Sequence, residues 1–122
     1  MKVCHYQEVE AQVAEETEGV TVRWVIGEAD GAPHFAMRIF DVQPGHGSPL
    51  HSHWWEHEVF VLAGTGMVTI ASQRSPIKEG TVVFVPGEVE HQFVNTGHEV
   101  LRFICLIPHP WLEGVARKYR PA

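Results

Sequence analysis

Nine of the 122 residues are histidine, and three of them, His51, His53 and His57, fall inside one seven-residue stretch. An even spread would put about half a histidine in a window of that length. Imidazole is the commonest metal ligand among side chains and titrates near neutrality, so the cluster points to metal chemistry or to a pH-responsive surface. His51 and His53 stand two apart in an extended segment, which sends both rings from one face. His57 shares their odd parity and opens an apolar run after the Trp54-Trp55-Glu56 turn. A fourth candidate, His91, follows Pro86-Gly87 at the head of another strand. Three or four neutral imidazoles converging in a dry interior make a site for a divalent metal ion. His46, on the glycine-rich approach to the cluster, is a candidate supporting group, whereas His5, His34, His98 and His109 read as ordinary surface or core histidines.

Such rings must be carried by rigid elements. From Val20 onward β-branched and aromatic residues dominate and Gly or Pro recurs at short intervals, the pattern of many short strands. We place strands at about Val20 to Ile26, Phe35 to Val42, Glu58 to Leu62, Met67 to Ala71, Thr81 to Val85, His91 to Val94 and Val100 to Ile107. Strands at this spacing without intervening helices indicate an all-β sandwich or barrel. Gly64-Thr65-Gly66 reads as a hairpin turn, and the first eighteen residues fit neither strand nor helix clearly. Trp111, Val115 and Tyr119 recur at helical spacing after Pro110, consistent with a short amphipathic C-terminal helix or a loosely packed tail.

The chain length allows one domain, 1–122, with its core at about 20–108. Nine Lys and Arg against fifteen Asp and Glu leave a net charge of -6, which argues against nucleic acid as a partner. No apolar run approaches the ~18 residues that cross a membrane, and the N-terminus lacks the apolar core of a signal peptide, so a cytoplasmic location is expected. Cys4 and Cys105 form no CxxC pair and read as free thiols. Several strands, such as Val59-Phe60-Val61-Leu62, are apolar on both faces, so one face requires a second sheet or a second subunit to cover it. A homodimer is the economical answer.

Between about Val20 and Pro108 the sequence resembles the cupins. Gly45, His51, His53 and Gly64 keep the register of the first cupin motif, with His57 where that motif usually carries glutamate and Glu58 its rival on a spacer one residue longer, which leaves one residue too few before Gly64. Gly80, Pro86, His91 and Asn95 fit the second motif, with Glu88 standing where its second glycine is expected. The resemblance implies a jelly-roll barrel, or double-stranded β-helix. Likeness to small single-domain cupins that hold manganese or similar ions with four histidines further implies a dimer whose ligands match His51, His53, His57 and His91. One divalent transition metal per chain is therefore expected, Mn first, with Fe, Cu, Ni, Co or Zn as alternatives. Four neutral ligands leave the ion's charge uncompensated, which favours bound anions and raises Lewis acidity.

Strand parity puts Phe93 on the His91 face and groups Phe103 with Cys105 on the last long strand; if that set faces inward, Cys105 sits near the metal. Parity alone cannot place Arg38. The resemblance favours Arg38 beside the pocket, gripping a carboxylate or enolate, against a salt bridge to Asp41. Trp54 and Trp55 could line an entrance or pack on a partner. Without a nucleophile elbow, phosphate loop or dinucleotide fingerprint, chemistry must come from the metal. The expected function is an oxygenase-type cleavage of a small unsaturated or enolic compound. A non-catalytic ligand-binding cupin and a metal-assisted isomerase, with Glu58 or Glu90 as base, are the alternatives.

Overall fold

The computed structural model describes residues 1–118, and the β-rich composition becomes nine strands. These are β1 (Gln12–Val13), β2 (Val20–Ile26), β3 (Phe35–Val42), β4 (His57–Ala63), β5 (Thr65–Ile70), β6 (Gln73–Lys78), β7 (Val82–Val85), β8 (His91–Asn95) and β9 (Leu101–Pro108). A 3-10 turn at Pro110–Leu112 leads into the one α-helix among the described residues, α1 (Glu113–Lys118). Tyr119, the third member of the tail's apolar series, lies outside the described residues, while Trp111 and Val115 are exposed.

All pairings are antiparallel: a six-stranded sheet in the order β1-β2-β3-β9-β4-β7 faces a three-stranded sheet in the order β6-β5-β8. The loop between β3 and β4 enlarges the smaller sheet. It runs along β8 through bridges Gly47–Val94 and His51–His91, with Ser48 N–H donating to the Phe93 carbonyl at 2.9 Å and His91 N–H to that of His51 at 2.9 Å. Alternate residues of β2, β4, β5, β8 and β9 face the interior, where Val42, Val61, Val85 and Leu101 are fully buried. Asn95, at the end of the second motif, is a structural clip: its amide donates to the carbonyls of Val42 (2.8 Å) and Glu99 (2.7 Å) and accepts from Gly97 N–H (2.8 Å).

Two sequence expectations change. Gly64-Thr65-Gly66 is not a hairpin, because β4 pairs with β7 and β9 whereas β5 pairs with β6 and β8. Gly64 is the corner where the chain changes sheet, at φ +87°, and a Cβ there would lie 2.4 Å from the Val100 carbonyl oxygen. The second change is β6, Gln73-Arg74-Ser75-Pro76-Ile77-Lys78, which carries only one buried residue, Ile77. It is an edge strand, where the missing N–H of Pro76 is tolerated. Its hairpin to β5 turns on Ala71 and Ser72, both with positive φ (49° and 71°), the backbone of a two-residue turn that Asn-Gly normally supplies.

The N-terminal segment resolves into a 3-10 turn at Tyr6–Glu8 and the short β1. Arg23 and Arg102 lie over the Tyr6 ring at 5.8 and 5.6 Å, so this turn covers part of the outer face of the large sheet. No helix among the described residues is long and apolar enough to cross a membrane.

Candidate metal centre

The loop that pairs with β8 brings His51 and His53 opposite His91, and the start of β4 adds His57. Ligand nitrogens of His51, His53 and His91 lie within 4.8 Å of one another. The His57 ring adjoins this trio, with ring centroids 4.7 Å from His53 and 4.8 Å from His91 and its Nε2 3.0 Å from Nε2 of His53. Two facing acceptor nitrogens repel each other at that distance unless a cation or proton sits between them.

Each ring is oriented from behind through Nδ1. His91 Nδ1–H donates to the Val89 carbonyl at 2.9 Å and His53 Nδ1–H to the Trp55 carbonyl at 3.1 Å. His51 Nδ1 lies 3.4 Å from the Glu15 carboxylate, and His57 Nδ1 lies 3.0 Å from the Cys105 thiol. For His91, His53 and His51 the acceptors behind the ring place the proton on Nδ1 and leave the Nε2 lone pair for the centre, whereas His57 Nδ1 lies between the Cys105 thiol and the donor NH2 group of Arg38. His91 Nε2 is buried without any hydrogen-bond partner, an orphan acceptor of the kind a metal ion satisfies. The donor set thus fits a divalent ion, with the outward hydrogen bonds that fix ligand tautomers at metal sites.

Burial also sets the charge state. Desolvation lowers His57 to about 2, helped by the Arg38 guanidinium, and lowers His53 to about 4. It lowers His91 as well, against the opposing hydrogen bond to Val89. These three rings are neutral at physiological pH, as ligands must be. Burial pushes the Cys105 thiol up, so it stays protonated.

Beside the histidines lies a cavity of about 40 Å³, walled by Phe40, Phe93, Phe103 and Cys105. The Phe103 ring stacks on Phe93 at 4.9 Å and on Phe40 at 5.3 Å. Arg38 faces inward from β3, 7% exposed, with its NH2 group 3.2 Å from Cys105 Sγ and 3.4 Å from His57 Nδ1. The alternative partner, Asp41, is taken by Arg102 in a forked pair at 2.7 and 3.1 Å. The structure therefore gathers Arg38, Phe93, Phe103 and Cys105 around the four histidines.

Glu58 and Glu90 do not join them. Both are exposed, and Glu58 points from the outer face of β4 beside Phe84 and Leu106. The carboxylate bordering the cavity is Glu15, which the sequence reading missed. It sits on a turn where Glu15 and Glu16 both adopt positive φ (49° and 54°), and only the fold brings it to His51. Glu88, in place of the motif's glycine, takes the left-handed backbone itself (φ 70°) and donates its N–H to the His53 carbonyl at 2.7 Å. Trp55 stacks on His53 at 3.7 Å and, with Trp54, borders a larger outer space. His46 packs at Gly19, whose Cβ would meet its ring at 2.3 Å. His109 is a core histidine satisfied by the Ala32 carbonyl at 2.7 Å.

The family model of the cupin domain matches residues 38–107, which cover both histidine motifs and the strands that hold them, so the chain belongs to the cupin domain family. Among relatives, it is 35% identical over 85 residues to the dimethylsulfoniopropionate lyase DddW of Ruegeria pomeroyi, covering 67% of this chain and 55% of the lyase. It is 34% identical over 80 residues to an oxalate-binding protein of Thermotoga maritima, covering 62% of this chain and 66% of that protein. The solved structure of the polyketide cyclase RemF from Streptomyces resistomycificus superposes with a TM-score of 0.83 at 31% identity, over 88% of this chain and 79% of the cyclase. The match to the lyase spans little more than half of its length.

Proposed function

We propose that this cupin is a metal-dependent enzyme acting on an enolic or enolisable carbonyl compound. The observation that carries the reading is the set of four imidazoles tied back through Nδ1, with the unpaired Nε2 of His91 at their centre. A divalent ion, manganese in the first instance, held by His51, His53, His57 and His91 would supply Lewis acidity toward a substrate oxygen. The rest falls to the chain's own side chains. Arg38 receives the acidic oxygen with its guanidinium donors. Phe93 and Phe103 exclude water from the reacting face, which strengthens that contact. The Cys105 thiol and the Arg38 guanidinium, both against Nδ1, hold the His57 ring in place.

Two branches of chemistry divide here. The oxygenase branch, in which dioxygen cleaves an unsaturated bond and both its atoms end in the two carbonyl products, is supported by the apolar Phe93–Phe103 wall and the all-neutral ligand set. The non-redox branch, elimination or ring closure, is supported by the Glu15 carboxylate at the cavity edge and by a lyase and a cyclase among the relatives. Manganese, iron and zinc forms should each be assayed with an enolic substrate panel in air and under argon. The oxygenase branch expects oxygen consumption by the redox-active forms alone, and the non-redox branch expects equal turnover without oxygen. If no form turns over any substrate, ligand binding without catalysis replaces the enzyme reading, as an oxalate-binding relative would suggest.

A homodimer is part of the same proposal. On the outer face of the large sheet Val82, Phe60 and Ile104 are neighbours across β7, β4 and β9, and Val82, Phe84 and Phe60 are 72%, 57% and 45% exposed. A second copy of the face would cover them by two-fold symmetry. Light scattering at micromolar concentration is expected to give twice 13.7 kDa, and Phe60→Glu to give the monomer. A native protein that is monomeric throughout refutes the dimer.

A further inference from the structure

Two spaces of very different size meet at Arg38, which lines both. The inner one holds about 40 Å³, above the roughly 10–15 Å³ that admits one water molecule but far short of a ring system. The outer one holds about 1000 Å³, the upper end of the roughly 300–1,000 Å³ seen for pockets that take drug-sized ligands. Its walls are aromatic and apolar: Trp24, Trp54, Trp55, Phe40 and Ile107. A small enol would fill the inner space and leave the outer one to water, which these walls disfavour.

The polar groups of the outer space are few and directional. The Arg38 guanidinium lies 5.3 Å from the Trp24 ring centre and 4.8 Å from that of Phe40, so aromatic contacts hold its planar fork in place. Arg38 Nε and Trp55 Nε1 are buried donors without partners, unused hydrogen-bonding capacity on two of the side chains that border this space. At the far rim stand Glu28 and Asp30, the latter occupied by Lys2 and the Gly27 N–H. Glu15 borders both spaces as well but faces His51 Nδ1 at 3.4 Å, so with Glu28 and Asp30 also acidic, Arg38 is the one group among the lining residues that receives an acidic oxygen, and the space suits a ligand with a single such group aimed at it.

We infer that the tryptophan-lined outer space is a binding subsite for a planar ligand of two or more fused rings carrying one acidic oxygen, a carboxylate, phenolate or enolate, that Arg38 receives. Only the acidic edge of such a ligand reaches the inner space beside the histidines, while the ring system lies against Trp24, Trp54 and Trp55. The inference deepens the proposed function by naming its substrate class, and it rests on that reading only for the chemistry, since the subsite binds with or without turnover.

Calorimetry and tryptophan quenching with acetylacetone, 2-naphthoic acid, anthracene-2-carboxylic acid and methyl 2-naphthoate test it, on metal-loaded and chelator-treated protein. Dissociation constants should fall at least tenfold from acetylacetone to 2-naphthoate and not rise again for the tricyclic acid. The ester should bind at least tenfold more weakly than its acid. Arg38→Gln should remove that acid-over-ester preference while leaving the ester within twofold. Trp24→Ala, at a site 44% exposed, should weaken both ring acids about tenfold and spare acetylacetone. Should Arg38→Gln fail to fold, the preference in the native protein and the Trp24→Ala result decide the matter. Equal binding of acetylacetone and 2-naphthoate, or an unchanged preference in Arg38→Gln, overturns the subsite. Ring-size dependence without turnover by any metal form keeps the subsite and removes the enzyme reading. Turnover of acetylacetone without ring-size dependence removes the subsite alone.

Discussion

Replacing His57 with alanine is expected to strip most of the bound divalent ion from the purified protein, while Glu58→Ala leaves metal content as it was. The two residues are neighbours in the sequence and rivals on spacing, yet β4 turns them to opposite faces. His57 is buried with its Nε2 3.0 Å from that of His53, and Glu58 is exposed beside Phe84. Loss of a direct ligand should exceed the roughly 10- to 100-fold in affinity that loss of an outer hydrogen-bond partner costs. Glu15→Gln, which keeps a neutral acceptor near His51, should fall in or below that lesser range. Metal analysis after gel filtration, with chelator competition for affinity, gives the order His57→Ala, then Glu15→Gln, then Glu58→Ala in decreasing loss. Equal metal retention in His57→Ala and Glu58→Ala contradicts the ligand set.

The contrast between His57 and Glu15 shows what could be read from residues alone. His51, His53, His57 and His91 were visible as a cluster because residues two apart in extended chain share a face and these lie beside Gly and Pro turns. Strand parity likewise grouped Phe103 with Cys105, and the ladder of β3 with β9, which pairs Arg38 with Cys105, settles the inward face that parity left open. Glu15 carried no such signal. Its contact with His51 spans a strained turn whose φ values no sequence pattern announces, and it arises because β1 adds to the edge of the large sheet. β6 escaped for a different reason: an edge strand exposed on nearly every residue has no apolar alternation to detect. The Gly64 corner was misread because a change of sheet and a hairpin both call for glycine at positive φ.

The metal-free protein should lose stability steadily as pH falls from 6.5 to 4.5, and the histidines should be the cause. In the unfolded chain each imidazole takes up its proton near 6.5. In the folded protein desolvation holds His53 down to about 4 and His57 to about 2, and holds His91 below its ordinary value too. Below pH 6.5 the unfolded state therefore binds more protons than the native state, so stability is intact above that pH and declines beneath it. His57 stays neutral across the whole window and contributes about 1.4 kcal/mol per pH unit, roughly 5 °C in melting temperature for a domain of this size. Asp30 does not confuse the reading, because its carboxyl, held low first by the Gly27 N–H and then by Lys2, loses its contribution only below the ordinary carboxylate range. A bound ion steepens the dependence, since protons must displace it from the same nitrogens. Melting curves of chelator-treated protein at half-unit pH steps measure the slope, and His57→Ala should flatten it whatever the variant's own midpoint. A melting temperature constant between pH 6.5 and 4.5 would mean that the imidazoles accept protons inside the fold, and the neutral ligand set would fall with that result.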